Sequence, residues 1–277
     1  MSLIATIFLS PFRASAIING TVVEPMSTMA KSTVIVLWKS YFSTGHGQCS
    51  GTLIAPDIVL TAAHCVQNPA TSKPFSAEEM TGHFGPYNGA EWNKAFVYDV
   101  QGLRSNENFD PEITRNDLAV LRLAKPAPEG FTPVSILEDI TFLQPGTDIV
   151  LAGYGNTLWM GDRDEPKSRM LRSFPTKIEQ PVSPEDGMIE FYKTRDLVRT
   201  FGILHDKTPR HPELDNEGGM AAGDSGGPAF LFTRGAAYVV GVASGYYGSD
   251  DTVPSYENVA THAGWINSSV RALRENR

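Results

Sequence analysis

Short stretches rich in branched and aromatic residues, separated by turn residues, most constrain the fold of this 277-residue chain. Branched side chains pack well on a pleated sheet, and the 25 glycines and 19 prolines allow frequent turns. Strands do not alternate with helices, so the pattern predicts an all-β sandwich or barrel. The predicted strands are Ser32–Trp38, Gly51–Leu60, Asp117–Leu123, Asp148–Gly155, Pro228–Phe232 and Ala236–Gly245.

One amphipathic pattern, at the end of the chain, predicts a helix that docks on the β structure. The stretch Thr261–Asn276 places Trp265, Ile266, Val270 and Leu273 roughly on one face. Three polar, turn-rich stretches are predicted to be loops, and a Pro-rich stretch is a candidate linker between two halves. The loops are Gln67–Asn93, Asn156–Lys167 and Arg210–Gly219, and the linker is Ala124–Pro133.

Composition and charge argue against several classes of protein. Hydrophobic residues make up 41% and charged residues 19% of the chain, which is an ordinary balance for a globular protein. The net charge is −8 and no run of Lys and Arg occurs, so we expect no nucleic-acid partner. No apolar run reaches the roughly 18 residues of a membrane-spanning helix, so we expect no membrane partner.

The first residues have features of an export signal. Leu3 to Leu9 form a short apolar core, and Ala14-Ser15-Ala16 has the small-x-small form that signal peptidase cleaves. We therefore predict that residues 1–16 are a signal peptide or pro-segment and that the protein is secreted or periplasmic. The alternative is a disordered or buried tail.

The two cysteines, Cys49 and Cys65, allow three interpretations. In an exported chain they would form a disulfide, whereas in a cytosolic chain both would be free and buried. Metal binding is the weakest alternative, because the neighbouring histidines fit no zinc pattern. We expect no metal and no cofactor.

A glycine-rich turn around one serine, "AGDSGGPA" at Ala222–Ala229, is the first candidate for chemistry. A serine hydroxyl becomes a nucleophile when a base lies within hydrogen-bond reach and donors face the developing oxyanion. The N–H groups of Gly223 and Ser225 are candidates for those donors, since glycines permit unusual backbone dihedrals. By itself, the same sequence also fits a plain turn.

Two further motifs supply a base and an acid. His64 in "LTAAHCV" follows a predicted strand, and Asp117 in "RNDLAVLRL" opens another. Alone, His64 would be read as a packed core residue and Asp117 as a turn residue or cap. Together with Ser225 they form a Ser-His-Asp set in one of the known chain orders of the catalytic triad.

These motifs resemble those of the chymotrypsin/trypsin-like serine proteases, in the order of that family. "LAGYGNT" (Leu151–Thr157), "GVASG" (Gly241–Gly245) and "AGWI" (Ala263–Ile266) are similar to further family segments, so the resemblance runs from about Ile17 to the last helix. It implies an all-β fold of two six-stranded antiparallel β-barrels packed together with a C-terminal α-helix. The implied peptidase domain is 17–277, with barrels at about 17–125 and 133–260 and a helix at 261–277.

The resemblance also implies roles for individual residues. His64 would be the general base, Asp117 its orienting carboxylate and Ser225 the nucleophile, with Gly223 and Ser225 forming the oxyanion hole. The family's disulfide beside the catalytic histidine corresponds to Cys49–Cys65, and a single bridge is similar to bacterial or divergent members.

The N-terminal segment resembles the start of the family's mature chain. A freed amine at Ile17 would pair with Asp224, the residue before the serine. Ala16 precedes Ile17 where the family usually carries Arg or Lys, so we hypothesise that export and activation are one cleavage.

The resemblance places a specificity pocket on five residues. Gly219 would form its floor, Met220 would narrow it, and Ser244, Gly245 and Tyr246 would form its wall. A glycine floor carries no charge, which predicts a preference for apolar or small side chains. The expected partners are a protein or peptide substrate and a proteinaceous inhibitor, and the expected state is a monomer.

Two rival functions remain at the level of sequence. The chain could be a catalytically silent, protease-like binding protein, although such proteins usually lose a triad residue or an oxyanion glycine. An esterase of the α/β-hydrolase type would also contain Gly-x-Ser-x-Gly, which "GDSGG" satisfies. That fold needs the histidine last in the chain and a helix after the serine turn, whereas Pro228–Phe232 is predicted to be a strand.

Overall fold

The computed structural model describes most of the chain, and its elements are almost all β-strands. The described residues are 17, 20–39, 47–68, 71–85, 96–112, 115–155, 170–178, 188–190, 220–247 and 253–275. The strands are β1 Thr21–Val22, β2 Thr33–Trp38, β3 Gln48–Ala55, β4 Ile58–Thr61, β5 Gln67–Asn68, β6 Lys73–Pro74, β7 Met80–His83, β8 Val97–Ser105, β9 Ala119–Leu123, β10 Ser135–Ile136, β11 Asp148–Gly153, β12 Arg172–Lys177, β13 Met188–Glu190, β14 Pro228–Thr233, β15 Ala236–Tyr247 and β16 Val253–Asn258. The helices are α1 Thr28–Ser32 and α2 Ala263–Glu275, with single 3₁₀ turns at His64–Val66, Ala77–Glu79 and Ile140–Phe142.

The first half of the chain closes into a six-stranded antiparallel barrel. Its strands follow the order β2-β3-β4-β9-β8-β7, and β7 returns to β2. Branched and apolar side chains fill the interior, and all six residues of β2 except Trp38 are fully buried or nearly so. The closed barrel leaves none of these strands as an edge.

Two details of this barrel differ from the sequence prediction. The predicted strand Gly51–Leu60 is divided by a turn at Pro56 and Asp57 into β3 and β4, because the proline interrupts the run. The predicted loop Gln67–Asn93 contains β7, whose residues pair with β2 on one side and β8 on the other. The loop prediction was therefore wrong at Met80–His83.

The second half forms an eight-stranded sheet among the described residues. Seven strands follow the order β1-β12-β11-β14-β15-β16-β13 by antiparallel pairing, and β10 adds to β15 in parallel. A second apolar cluster lies under this sheet and includes Ile17, Leu151, Met220 and Tyr256. The two β halves and the C-terminal helix confirm the predicted all-β, double-barrel class of fold.

The C-terminal helix α2 docks on the first barrel, as its amphipathic pattern predicts. Ile266 and Leu273 are buried, and the Leu273 side chain lies against Gly102 of β8. Arg122 of β9 donates from Nη1 to the Leu273 carbonyl at 2.9 Å. The described residues contain no helix with the length and hydropathy needed to span a bilayer.

Some predictions concern residues outside the described part of the chain. These are the signal peptide at 1–16, the loops Asn156–Lys167 and Arg210–Gly219, and the pocket floor Gly219. The candidate linker Ala124–Pro133 lies between the end of β9 and the start of β10. The limits of the two halves and of the peptidase domain stay predictions.

Candidate active site

His64 and Asp117 lie in contact at the edge of the first barrel. The chain leaves β4 through two buried alanines and enters a 3₁₀ turn that begins at His64. The N–H of His64 donates to Asp117 Oδ1 at 2.8 Å, and its Nδ1 lies 2.6 Å from Oδ2. Because a carboxylate only accepts, Nδ1 carries the proton, which leaves the lone pair of a neutral imidazole on Nε2.

The environment of this pair shifts both pKa values in favour of the charged forms. Burial alone would lower the pKa of His64, but the charge and hydrogen bond of Asp117 outweigh it and raise that pKa above 6.5. Burial alone would raise the pKa of Asp117, but the charge of His64 and hydrogen bonds from His64 and Ser244 hold it below its usual value. Asp117 is therefore an ionised carboxylate at neutral pH, poised to stabilise an imidazolium.

Asp117 is fully enclosed, and partners from distant strands hold it. The Ser244 hydroxyl, on β15, donates to Oδ2 at 2.6 Å. The backbone N–H of Asp117 donates to Oε1 of Glu257, which lies on β16, at 2.8 Å. The carboxylate orientation is thus fixed by the second half of the chain as well as by His64.

Ser225 lies in a turn that packs against the segment before His64. Its carbonyl accepts from the N–H of Ser50 at 2.7 Å, and the N–H of Gly226 donates to the Ala243 carbonyl at 2.7 Å. Ala243 precedes Ser244, whose hydroxyl donates to Asp117. The Ser225 turn and Asp117 therefore both bond to neighbouring residues of strand β15. The three sequence motifs thus come together at the junction of the two halves.

The described residues show no hydrogen bond between the Ser225 hydroxyl and His64. The Nε2 atom of His64 lies 3.7 Å from Cys65 Sγ. Bonds between nucleophile and base are often longer in the absence of substrate. The structure therefore brings acid and base into direct contact and places the serine turn beside them.

Gly226 makes this close approach possible. Its φ is +76°, and a Cβ there would overlap Thr61 Oγ1 and lie 2.5 Å from the Ser50 carbonyl oxygen and 3.0 Å from the Ala62 nitrogen. Both the backbone conformation and the space therefore require glycine.

Replacing Gly226 with alanine is expected to reduce the free energy of unfolding by about 3 kcal/mol or more, because overlap adds to backbone strain. Gly235→Ala is the matched control, since Gly235 has a φ of +75° but no atom within 4 Å of a built Cβ. We expect the control to cost about 1 kcal/mol, from strain alone. Urea unfolding of both variants measures the difference, and equal losses would contradict the packing argument.

The oxyanion candidates are braced by Ser50. Its hydroxyl donates to the Gly223 carbonyl at 2.9 Å and accepts from the N–H of Tyr154 at 3.0 Å. Gly223 has a φ of +98°. Within the described residues, neither the N–H of Gly223 nor that of Ser225 donates to an acceptor, so both are available to a ligand.

Asp224 is fully buried and lies beside Ile17. Its Oδ1 accepts from the N–H of Gly155 and its Oδ2 from the N–H of Ala221, each at 2.8 Å, and the backbone N–H of Ile17 also bonds to it. Burial raises the pKa of Asp224 to about 7, although these three donors oppose the rise. A Cβ at Gly155 would lie 2.6 Å from Asp224 Cγ, so the carboxylate fills the space of a missing side chain.

Ile17 is held in the second half of the chain. Its side chain has no exposed surface and belongs to the apolar cluster that contains Met220. Its carbonyl accepts from the N–H of Gly20 at 2.6 Å, and Arg172 donates from Nη1 to the Gly20 carbonyl at 3.0 Å. The segment that carries Ile17 is therefore anchored close to Asp224.

The predicted pocket residues have different surroundings. Met220 is 3% exposed and packs in the second core. The Ser244 hydroxyl is engaged by Asp117, and the backbones of Gly245 and Tyr246 pair with Ser255 and Pro254. Gly219 lies outside the described residues, and the pocket itself stays a prediction.

Cys49 and Cys65 form a disulfide. Of the three interpretations of these cysteines, the disulfide is therefore confirmed. The bridge joins the start of the barrel strand β3 to the turn that carries His64. The ligand atoms of Cys49, His64 and Cys65 lie within 4.8 Å of one another, a spacing that a metal site would show. Bridged sulfurs offer no thiolate, so this cluster is not a metal site.

Three groups of the site were not predicted from the sequence: the side chains of Ser50 and Glu257, and the hydroxyl of Ser244 as a partner of Asp117. Ser50 follows Cys49 directly, and its position beside the disulfide was an available signal. Ser244 was predicted only as a wall residue of the specificity pocket. Glu257 lies between Tyr256 and Asn258 at the end of β16, and this sequence context gave no signal.

Comparison with known proteins gives one consistent result. A sequence model described as Trypsin matches residues 31–266. The chain is 28% identical to vitamin K-dependent protein C of Mus musculus over 236 residues, which cover 80% of this chain and 46% of that protein. It is 27% identical to the chymase of Rattus norvegicus over 270 residues, 96% of this chain and 94% of the chymase.

A third relative carries a different description. It is the inactive CLIP domain-containing serine protease A3 of Aedes aegypti, 30% identical over 228 residues, which cover 80% of this chain and 46% of that protein. The chain thus spans about half the length of several curated relatives that it matches. The match across residues 31–266, together with the all-β fold, shows that the chain belongs to the trypsin family of serine proteases.

Proposed function

We propose that this chain is a serine endopeptidase that hydrolyses peptide bonds through an acyl-enzyme. The observation that carries the proposal is the bond between His64 Nδ1 and Asp117 Oδ2, at 2.6 Å, with the Ser225 turn packed beside it. A base oriented by a buried carboxylate next to a serine in a glycine turn is the arrangement that nucleophilic acyl transfer requires.

In the proposed reaction, the lone pair on His64 Nε2 takes the proton of the Ser225 hydroxyl as Oγ attacks the substrate carbonyl carbon. Asp117 stays ionised and stabilises the imidazolium, which then protonates the leaving amine. Water attacks the acyl-enzyme with His64 again as base, which releases the acid product and restores Ser225. Since the base must be neutral, kcat/KM rises with pH through the raised pKa of His64.

The oxyanion of each tetrahedral intermediate would be stabilised by the N–H groups of Gly223 and Ser225. Both are free of acceptors within the described residues, and the brace from Ser50 limits the movement of Gly223. Donors that are fixed before the reaction stabilise developing charge without reorganisation.

The proposed substrate is a protein or peptide with an apolar or small side chain before the scissile bond. This rests on the positions assigned to Gly219, Met220, Ser244, Gly245 and Tyr246 by resemblance, since none of them carries a charge. The proposed state is a monomer that a proteinaceous inhibitor could block. The disulfide supports a secreted or periplasmic location, because such bonds persist in oxidising compartments.

Chromogenic peptides that differ only in the residue before the scissile bond test the preference. With Phe, Ala, Arg and Glu at that position, we expect kcat/KM for Phe or Ala to exceed that for Arg and Glu by about 10-fold or more, because a neutral pocket leaves a buried charge unpaired. A preference for Arg would contradict the proposed pocket and leave the proposed chemistry intact.

The second candidate function is a catalytically silent binding protein. Two observations favour it: the absence of a Ser225–His64 hydrogen bond in the described residues, and the similarity to a relative described as inactive. It predicts binding of a protease substrate or inhibitor with no turnover, and the Ser225 variant argued in the Discussion separates the two candidates.

A further inference from the structure

A second acid–histidine pair lies directly behind the candidate triad. Glu257 has no exposed surface, and its two carboxylate oxygens bond to different partners. Oε1 accepts from the backbone N–H of Asp117 at 2.8 Å, and Oε2 lies 3.0 Å from Nε2 of His262. This pair plays no part in the proton transfers proposed above.

The backbone at Asp117 needs such a partner. The N–H of Leu118 bonds to the Asn116 carbonyl at 2.8 Å, which folds the chain into a tight turn around Asp117, and Asn116 has a φ of +57°. The strand ladder begins only at Ala119, so no neighbouring strand accepts the N–H of Asp117. A buried N–H without an acceptor is costly, and Glu257 supplies the acceptor.

Glu257 in turn needs His262. A buried carboxylate oxygen without a hydrogen-bond partner is unfavourable, and His262 is the partner of Oε2. The His262 side chain is 13% exposed, and the His262 carbonyl accepts from the N–H of Ile266 at 2.9 Å. His262 therefore lies at the start of α2, and its ring position is fixed by the helix that docks on the first barrel.

We propose that Glu257 and His262 are positioning residues that aim Asp117 at His64. Glu257 fixes the backbone of Asp117. The Asp117 carboxylate then bonds to both the N–H and Nδ1 of His64. The pair acts through Asp117 and touches no reacting atom. The proposal rests on the proposed function, since it assigns these residues to the machinery of peptide hydrolysis.

The alternative is that Glu257 only helps to dock the C-terminal helix. Glu138 provides the matched control, because its Oε1 accepts from Asn267 Nδ2 of α2 at 3.0 Å and it is not bonded to Asp117. A helix-docking role predicts similar effects for Glu257 and Glu138 variants. A positioning role predicts effects on catalysis for Glu257 alone.

Two substitutions at Glu257 separate the hydrogen bond from the charge. Glu257→Gln keeps a carbonyl oxygen that can accept the N–H of Asp117, whereas Glu257→Leu removes every acceptor. We expect Glu257→Leu to lower kcat by about 10- to 100-fold with KM changed less than about 2-fold, as for other supporting partners of an active site. We expect Glu257→Gln to restore kcat to within about 3-fold, and Glu138→Leu to leave it unchanged.

An NMR titration of His64 gives a readout that does not depend on turnover. Glu257→Leu is expected to lower the pKa of His64, because a misdirected Asp117 stabilises the imidazolium less, while Glu257→Gln leaves it near the wild-type value. If the wild-type protein shows no hydrolysis that depends on Ser225, the proposed function fails, but this titration still tests the positioning of Asp117.

The positioning role of Glu257 and the helix-docking role predict different results. Wild-type kcat and wild-type His64 titration in Glu257→Leu would overturn the positioning role, and an equal loss in Glu138→Leu would assign the effect to helix docking. If Glu257→Leu does not fold, the amide proton of Asp117 is compared between wild type and Glu257→Gln. Loss of the charged acceptor in Glu257→Gln should move the resonance of the Asp117 amide proton upfield. An unchanged chemical shift would overturn the proposal.

Discussion

Ser225→Ala is expected to lower kcat for peptide hydrolysis by about four to six orders of magnitude, with KM and folding little changed. The substitution removes the protein atom that attacks the substrate carbonyl in the proposed mechanism, so no acyl-enzyme forms. The backbone N–H groups of residues 223 and 225 remain, so binding of the substrate and of the oxyanion is retained in part. Active-site titration with a fluorophosphonate, followed by peptide mapping, should label Ser225 in the wild type and nothing in the variant.

Ser268→Ala is the matched control for this change. Its hydroxyl donates to the Trp265 carbonyl at 2.9 Å on the exposed side of α2, so the same atom is removed outside the candidate triad. The control should keep wild-type kcat. Hydrolysis by Ser225→Ala above about 1% of wild type would contradict the assigned nucleophile. An inactive wild type that binds peptides as tightly as Ser225→Ala would favour the silent binding protein.

The sequence predicted the fold class because its signals were local. Branched runs such as Thr33–Trp38 carry strand propensity within a few residues, and the amphipathic repeat of α2 is likewise readable. Strand β7 shows the limit. Its sequence, "MTGH", has no branched run, and it is a strand only because β2 and β8 flank it and complete the barrel. Tertiary pairing here overrides local preference.

The site shows the same contrast between local sequence signals and contacts that form only in the folded chain. The contact between His64 and Asp117 was predicted from short motifs that are uninformative alone and become informative in combination with the Ser225 motif. The contacts of Asp117 with its supporting partners were not predicted, because Ser244 and Glu257 are separated from it by 127 and 140 residues, and nothing near either one signals the contact. Local patterns thus identified the reacting groups, while the residues that orient them became visible only in three dimensions.

Releasing the amine of Ile17 is expected to have the second large effect, through Asp224. In the full chain Ile17 follows Ala16, so the group that bonds to Asp224 is a peptide N–H and carries no charge. Burial raises the pKa of Asp224 from 3.8 to about 7. Because the pKa of Asp224 is raised in the folded state, its contribution to the free energy of unfolding is fully present below about pH 4. That contribution is lost as the pH rises to about 7. The loss amounts to about 4 kcal/mol.

A chain that begins at Ile17 would place an ammonium group against the Asp224 carboxylate. The pair lowers the pKa of Asp224, so we expect the stability lost between pH 4 and 7 to be largely restored. Because Asp224 lies between Gly223 and Ser225, fixing it also fixes the two candidate oxyanion donors. We expect kcat/KM to rise by about 100- to 1000-fold over the full chain, the order that one oxyanion donor contributes. Urea unfolding at pH 5 and pH 8, with peptide hydrolysis at pH 8, measures both effects.

Two controls decide whether the ion pair is responsible for the gain. A chain that begins at Ala16 carries the same charge one residue too early and should stay as inactive as the full chain. Asp224→Asn should remove the gain from the chain that begins at Ile17, while in the full chain it should raise stability at pH 8 because no carboxylate is then buried. Equal activity of the two shortened chains would contradict the pairing. The one-step hypothesis is tested by N-terminal sequencing of exported active protein. It requires the first residue to be Ile17, exposed when signal peptidase cleaves after Ala16.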